Sequence, residues 1–183
     1  RTCGSCAFAG QQSMAALASQ RHRDHPARNL IVHNITLNAF KMLKYWDHAL
    51  VLLSKMVEEG PAMDIISINT SISACEKASA WRQALDLLER APTYCIIPDI
   101  VSFNTTISSC GRAADIGGAA RLLSRVRLCR LEPSIVSYGA SISACEKASA
   151  WEQALQLLDE MQRLAARPNI VVCSSAVSAC EKG

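Results

Sequence analysis

Between Trp81 and Ala91 the chain reads WRQALDLLERA, and Ala84, Leu85, Leu87 and Leu88 fall at helical spacing on one apolar face. This pattern predicts an amphipathic helix over Trp81–Ala91. Just upstream, SINTSISACEKA at Ser67–Ala78 predicts a first helix, so the two form a helical hairpin. Further along, Ser149-Ala-Trp-Glu152 has the form of a capping box, with Ser149 as the cap of a second helix and Glu152 reaching back to it. Pro98, Pro133 and Pro168 stand where helices should end, because proline cannot continue one.

The same pattern returns along the chain. SISACEKASAW occupies Ser71–Trp81 and again Ser141–Trp151, and SACEKG closes the chain at Ser178–Gly183. An eroded copy, TISSCGRAADI, lies midway at 106–116, so the true period is 35 residues. Leu37, Ile72, Ile107, Ile142 and Val177 make one apolar column at this period. Leu52, Leu87, Leu122 and Leu157 make another, and Leu53, Leu88, Leu123 and Leu158 a third. Ala49, Ala84, Ala119 and Ala154 make a column of small residues, which lets two helices approach closely. The units are Asn29–Met63, Asp64–Pro98, Asp99–Pro133 and Ser134–Pro168, with a partial unit over 169–183 and no gap between any two. One hairpin cannot bury both its faces, whereas stacked hairpins share a continuous core.

Composition narrows this picture. Half of the 183 residues are hydrophobic and 5% are aromatic, which suits packed helices and excludes a disordered chain. The net charge of +3 permits contact with nucleic acid without arguing for it. No apolar run approaches the roughly 20 residues needed to span a bilayer, so no membrane is expected as a partner. Of the nine cysteines, Cys75, Cys110, Cys145 and Cys180 recur at the repeat period. Stacked units would hold them about 10 Å apart, too far for disulfides, so they read as small core residues in a reducing compartment. The chain begins at Arg1 and stops inside a unit, as a fragment would. Residues 1–28 carry four arginines and one acid, Asp24, a composition compatible with a transit segment. They are at least as compatible with a loop or with a degenerate first repeat whose surviving helix is SMAALASQ, Ser13–Gln20.

The lines DIVSFNTTISSCGRAADIGGAARLLSRVRLCRLEP (Asp99–Pro133) and SIVSYGASISACEKASAWEQALQLLDEMQRLAARP (Ser134–Pro168) resemble the pentatricopeptide repeat family. The resemblance extends from Asn29 to Gly183. It implies an all-α fold, a right-handed α-solenoid of stacked helix-turn-helix repeats. It also implies a partner, single-stranded RNA, read one base per repeat. In the family, the fifth and last residues of a unit select the base, counting units from Leu30, Ile65, Ile100, Ile135 and Ile170. The pairs Asn34 with Asp64 and Asn69 with Asp99 then imply U, and Asn104 with Ser134 implies C. Gly139 with Asn169 departs from the pattern, since glycine has no side chain to reach a base. Ser174 opens a fifth site. The second residues of the units, Ile31, Ile66, Val101, Val136 and Val171, would sandwich the bases. The implied partial target is 5′-U-U-C-3′ followed by a weakly read base. An asparagine offers both a donor and an acceptor to a base edge. Lys77, Arg112 and Lys147 are candidates for phosphate contacts. The resemblance further implies work in a chloroplast or mitochondrion on transcript processing, stability or translation.

Against this stand plainer readings. An asparagine early in a helix is often only a cap or surface residue. The tetratricopeptide repeat, at period 34, would make the chain a scaffold for protein partners. The Glu–Lys pairs at 76–77, 146–147 and 181–182 read as solvated helix ends, and Trp46, Trp81 and Trp151 as packing residues that open second helices. Cys3 and Cys6 with His22 and His25 could be proposed for zinc, but fortuitous cysteines are the better account. HRDHP at His22–Pro26 echoes a kinase catalytic loop with none of its companions. No nucleophile–base or paired-carboxylate arrangement stands out. The chain reads as a binding module, not an enzyme, needing no cofactor or metal.

Overall fold

The computed structural model describes residues 30–59, 63–164 and 166–183. The readings placed on residues 1–28, including Cys3, Cys6, His22 and His25, lie outside the described residues. Helix α1 covers residues 30–43 and α2 covers Trp46–Glu59. Then follow α3 (Ile65–Lys77), α4 (Trp81–Arg90), α5 (Ile100–Arg112), α6 (Ile116–Leu128), α7 (Ile135–Lys147), α8 (Trp151–Arg163) and α9 (Ile170–Lys182). A 3-10 turn, Ala91–Tyr94, extends α4, where Pro92 stops the α-helix a turn early. Odd-numbered helices open the repeats and even-numbered helices close them, so the architecture is an α-solenoid.

The first helices start two residues before the predicted Ser67, because the last residue of each unit caps the next one. Asp64, Asp99, Ser134 and Asn169 accept hydrogen bonds from the backbone N–H groups of Ser67, Ser102, Ser137 and Val172. Asp99 and Ser134 complete reciprocal capping boxes with Ser102 and Ser137.

The turn into each second helix is closed differently from the prediction. Lys44, Ser79, Ala114 and Ser149, at one repeat position, all have left-handed backbones with φ between 55° and 62°. The following residue donates its N–H five residues back, as Ala150 does to the Cys145 carbonyl at 2.9 Å. Ser149 therefore terminates α7 instead of capping α8. Ala150 is the N-cap of α8, with no side-chain bond.

Packing follows the columns. Leu37, Ile72, Ile107 and Ile142 are fully buried, as are Ala49, Ala84 and Ala154. Burying one such large apolar side chain stabilises by about 1.5–3 kcal/mol. Cys75, Cys110 and Cys145 are free thiols with no exposed surface. Burial pushes the Cys75 thiol up to about 12 and Cys110 to about 11. Val177 and Cys180, on α9, are exposed.

First helices pack side by side along the array, α3 on α5, α5 on α7 and α7 on α9. The second helices α4, α6 and α8 each pack on their own first helix and on the next one, and α2 packs on α3. The first helices thus form a continuous layer, about 8–10 Å from axis to axis as packed helices are. Small residues permit the approach. A Cβ added at Gly111 of α5 would stand 2.6 Å from the Ala140 carbonyl oxygen of α7.

Candidate nucleic-acid interface

On a first helix, repeat positions 2, 5, 9 and 13 lie along one stripe, given 100° per residue. In α3 these are Ile66, Asn69, Ser73 and Lys77, and in α5 they are Val101, Asn104, Ser108 and Arg112. The stripe runs from an apolar end through an amide to a cation. Ile31, Ile66, Val101, Val136 and Val171 are all more than half exposed. Such residues belong in a core by composition, yet the fold holds them in a row on the surface.

Each asparagine sits at a seam between two repeats and is held from the next one. The Asn69 amide nitrogen donates to Asp99 Oδ1 at 3.2 Å, while the Ser102 hydroxyl donates to Asn69 Oδ1 at 2.6 Å. Asp99 Oδ1 also takes the Ser102 backbone N–H at 2.8 Å. The seam before it repeats the arrangement. Asn34 Nδ2 lies 3.3 Å from both Asp64 oxygens, and Ser67 Oγ donates to Asn34 Oδ1 at 2.7 Å. In the third seam Asn104 Nδ2 donates to Ser134 Oγ at 3.3 Å, and Ser137 Oγ donates to Asn104 Oδ1 at 2.5 Å. These asparagines are therefore not caps. The caps are Asp64, Asp99 and Ser134, and each of them also holds the asparagine of the unit that it closes.

A carboxylate cannot donate, so Asp64 and Asp99 force the amide nitrogen toward themselves. Burial pushes the Asp99 carboxyl up, but bonds from the Ser102 backbone and hydroxyl and from Asn69 outweigh it and hold the group below its ordinary value. It stays charged at neutral pH. With one amide hydrogen and one carbonyl lone pair taken, each asparagine keeps one donor and one acceptor for a ligand.

Gly139 and Asn169 do not make such a site. Gly139 offers no side chain, and the Asn169 side chain serves as the cap of α9, accepting the Val172 N–H at 2.9 Å. Ser174 is exposed on α9.

At the other end of the stripe the Glu–Lys pairs are more than solvated ends. Glu76 accepts from Ser108 Oγ at 2.8 Å and pairs with Arg112 at 3.4 Å, both in the next repeat. Glu146 pairs with Lys182 at 3.0 Å in the same way, and Lys147 donates to the Gly111 carbonyl at 3.1 Å. Two of the three phosphate candidates, Arg112 and Lys147, thus have protein partners. Among the described residues Lys77 reaches the Met42 sulfur, at 3.8 Å. Among the described residues no group of three or more His, Cys, Asp and Glu could hold a metal ion. No helix among them is long and apolar enough to cross a membrane.

Sequence reasoning missed Ser67, Ser102 and Ser137. Their signal was present, a serine recurring at the repeat period two residues after a unit begins. It was hidden because fully buried serines look like the small residues of a helix contact.

These features define a helical-repeat protein with a periodic polar face. The chain belongs to the pentatricopeptide repeat family: the family model described as Pentatricopeptide repeat domain matches residues 96–148, and the PPR repeat model matches residues 31–61 and 136–164. The fold is similar to the crystal structure of the pentatricopeptide repeat protein PPR10 from maize, with a TM-score of 0.74 and 19% identity over 88% of this chain and 24% of that one. PPR10 in complex with an 18-nt psaJ RNA element gives 0.70 at 19% identity, covering 88% and 24%. The PPR domain of Arabidopsis thaliana protein-only RNase P 1 in complex with tRNA gives 0.68 at 11% identity, covering 93% and 92%. The chain spans about a quarter of the length of PPR10, 24%. Among curated proteins no match is found.

Proposed function

We propose that this chain is a sequence-selective module for single-stranded RNA, reading one base at each seam between repeats. The observation that supports this best is the row of anchored amides, Asn34, Asn69 and Asn104. Each keeps a free donor and acceptor and stands beside exposed apolar residues. A base lying between the second residues of successive repeats, such as Ile66 and Val101, would meet the amide edge-on. Uracil presents its N3–H donor between two carbonyl acceptors on its pairing edge, and the free acceptor and donor of the fixed Asn34 and Asn69 amides can match N3–H and one of those carbonyls. At the third seam a neutral hydroxyl, Ser134, replaces the carboxylate beside the Asn104 amide, and the family resemblance assigns such an Asn–Ser pair to cytosine. The expected order is U, U, C from Asn34, Asn69 and Asn104, with Gly139 and Asn169 selecting weakly and Ser174 opening the next site. Similar solved structures hold RNA, an 18-nt psaJ element in one and tRNA in another. Family membership supports a setting in an organelle, chloroplast or mitochondrion, and work on transcript processing, stability or translation.

The test is binding of the purified chain to short RNAs centred on UUC or on GGA, at low and moderate salt. A preference for UUC that survives added salt is expected. Asn69→Ala should weaken binding to UUC by about 1–3 kcal/mol, the size of one good base contact. Equal, salt-labile binding to both would leave only a charged surface. No binding by the folded chain would favour the protein-scaffold reading.

A further inference from the structure

The seams differ in one respect that the base-selecting pairs do not explain. In three of them a buried serine of the following repeat, Ser67, Ser102 or Ser137, closes the hydrogen-bond ring around the asparagine. These serines have no exposed surface. Ser102 shows why the hydroxyl matters. Its oxygen accepts from the Asp99 backbone N–H at 3.2 Å and has two acceptors in reach, Asn69 Oδ1 at 2.6 Å and Asp99 Oδ1 at 2.9 Å. The hydroxyl has one proton for these two acceptors, and the shorter contact, to the amide oxygen, is the one that needs it, because Asp99 Oδ1 already takes the Ser102 backbone N–H at 2.8 Å. The ring then runs from the Asp99 N–H to the serine oxygen, from its hydroxyl to the amide oxygen, and from the amide nitrogen back to the Asp99 carboxylate. Without the hydroxyl the amide is held at its nitrogen alone and can swing about that bond.

The fourth seam lacks this device at both places. Val172, 2% exposed, stands where the other seams have serine, and Gly139 stands where they have asparagine. The two departures meet in space. A Cβ added at Gly139 would lie 3.2 Å from Val172 Cγ2.

We propose that Ser67, Ser102 and Ser137 are positioning residues for base selection, so that each reading unit is three side chains drawn from two repeats, and that the seam at Gly139 and Val172 is a spacer that selects no base. This rests on the RNA reading above and deepens it.

The experiment uses the full chain and a set of short RNAs in which one base at a time is exchanged. The readout is the ratio of affinities for U and C at the base facing Asn69. In Ser102→Ala that ratio should fall about tenfold, the loss of one oriented contact. Preferences at the bases facing Asn34 and Asn104, and the dependence on salt, should stay as in the parent. Ser102→Thr restores the hydroxyl and should restore the ratio where thermal unfolding shows the fold intact. A second arm does not depend on tolerance at the buried serine. Gly139→Asn alone, crowded by Val172 and unanchored, should leave the fourth base unread, whereas Gly139→Asn with Val172→Ser should create a preference there. A folded Ser102→Ala that keeps the parental ratio overturns the positioning role while leaving RNA reading in place. Equal selectivity in the single and double variants at the fourth seam overturns it as well. A parent chain with no base preference removes the RNA reading itself.

Discussion

Ala114 shows how much a single backbone angle decides here. It ends α5 with φ at 57°, where an L side chain crowds the following carbonyl. Glycine carries no such penalty, so Ala114→Gly should stabilise the fold by about 1 kcal/mol, seen as a raised denaturant midpoint with an unchanged slope. The left-handed position recurs at Lys44, Ser79 and Ser149 and was not legible in the sequence, because none of the four is glycine or asparagine. Ser149 was misread for the same reason. Its capping-box spelling is real, but a residue that must close α7 in the left-handed region cannot also cap α8. Asp99 was read as half of a selecting pair, and its second task as helix cap emerged only from the fold. Its carboxyl titrates below the ordinary 3.8 when folded and at that value when unfolded. The stability it adds is therefore present above about 3.8 and lost as the pH falls through the depressed folded value. Asp99→Asn keeps a good cap and removes the titration, so its acid-unfolding curve should be less steep in that window than the parent's.

Among the elements, the first helices carry most of the information and most of the constraint. Their order and spacing were legible because apolar columns repeat without a gap, and a strict period fixes the elements even where individual residues drift. What the period could not show was closeness. Gly111 replaces the Glu, Glu and Glu of the corresponding positions 76, 146 and 181, and nothing in its neighbourhood marks it as a contact. In the fold it faces the Ala140 carbonyl across the α5–α7 contact. Gly111→Ala must push two backbones apart and should destabilise by about 1–3 kcal/mol despite alanine's better helix propensity, checked by urea unfolding. Tyr138 ties the same region together. Its hydroxyl meets Arg127 of α6 at 3.0 Å and Glu160 of α8 at 3.5 Å, and the latter two form an ion pair. Three helices from two repeats thus share one buried ring.

For the molecule as a whole, the continuous layer of first helices sets the distance from one anchored asparagine to the next, about 8–10 Å as for packed helices. Stacked bases in a nucleic-acid strand rise by about 3.4 Å. On the proposed reading, a strand that satisfies three successive seams is drawn out well beyond that rise, and its bases can neither stack on one another nor pair with a second strand. Occupancy and hairpin formation therefore exclude each other. Placing the UUC site inside a stable stem should weaken binding at least about tenfold relative to the same site in an unstructured strand, measured by parallel titrations. The converse is the larger consequence. On that reading, a solenoid whose pitch is fixed by helix packing would act as a clamp that keeps its stretch of transcript open, altering what the neighbouring sequence can fold into.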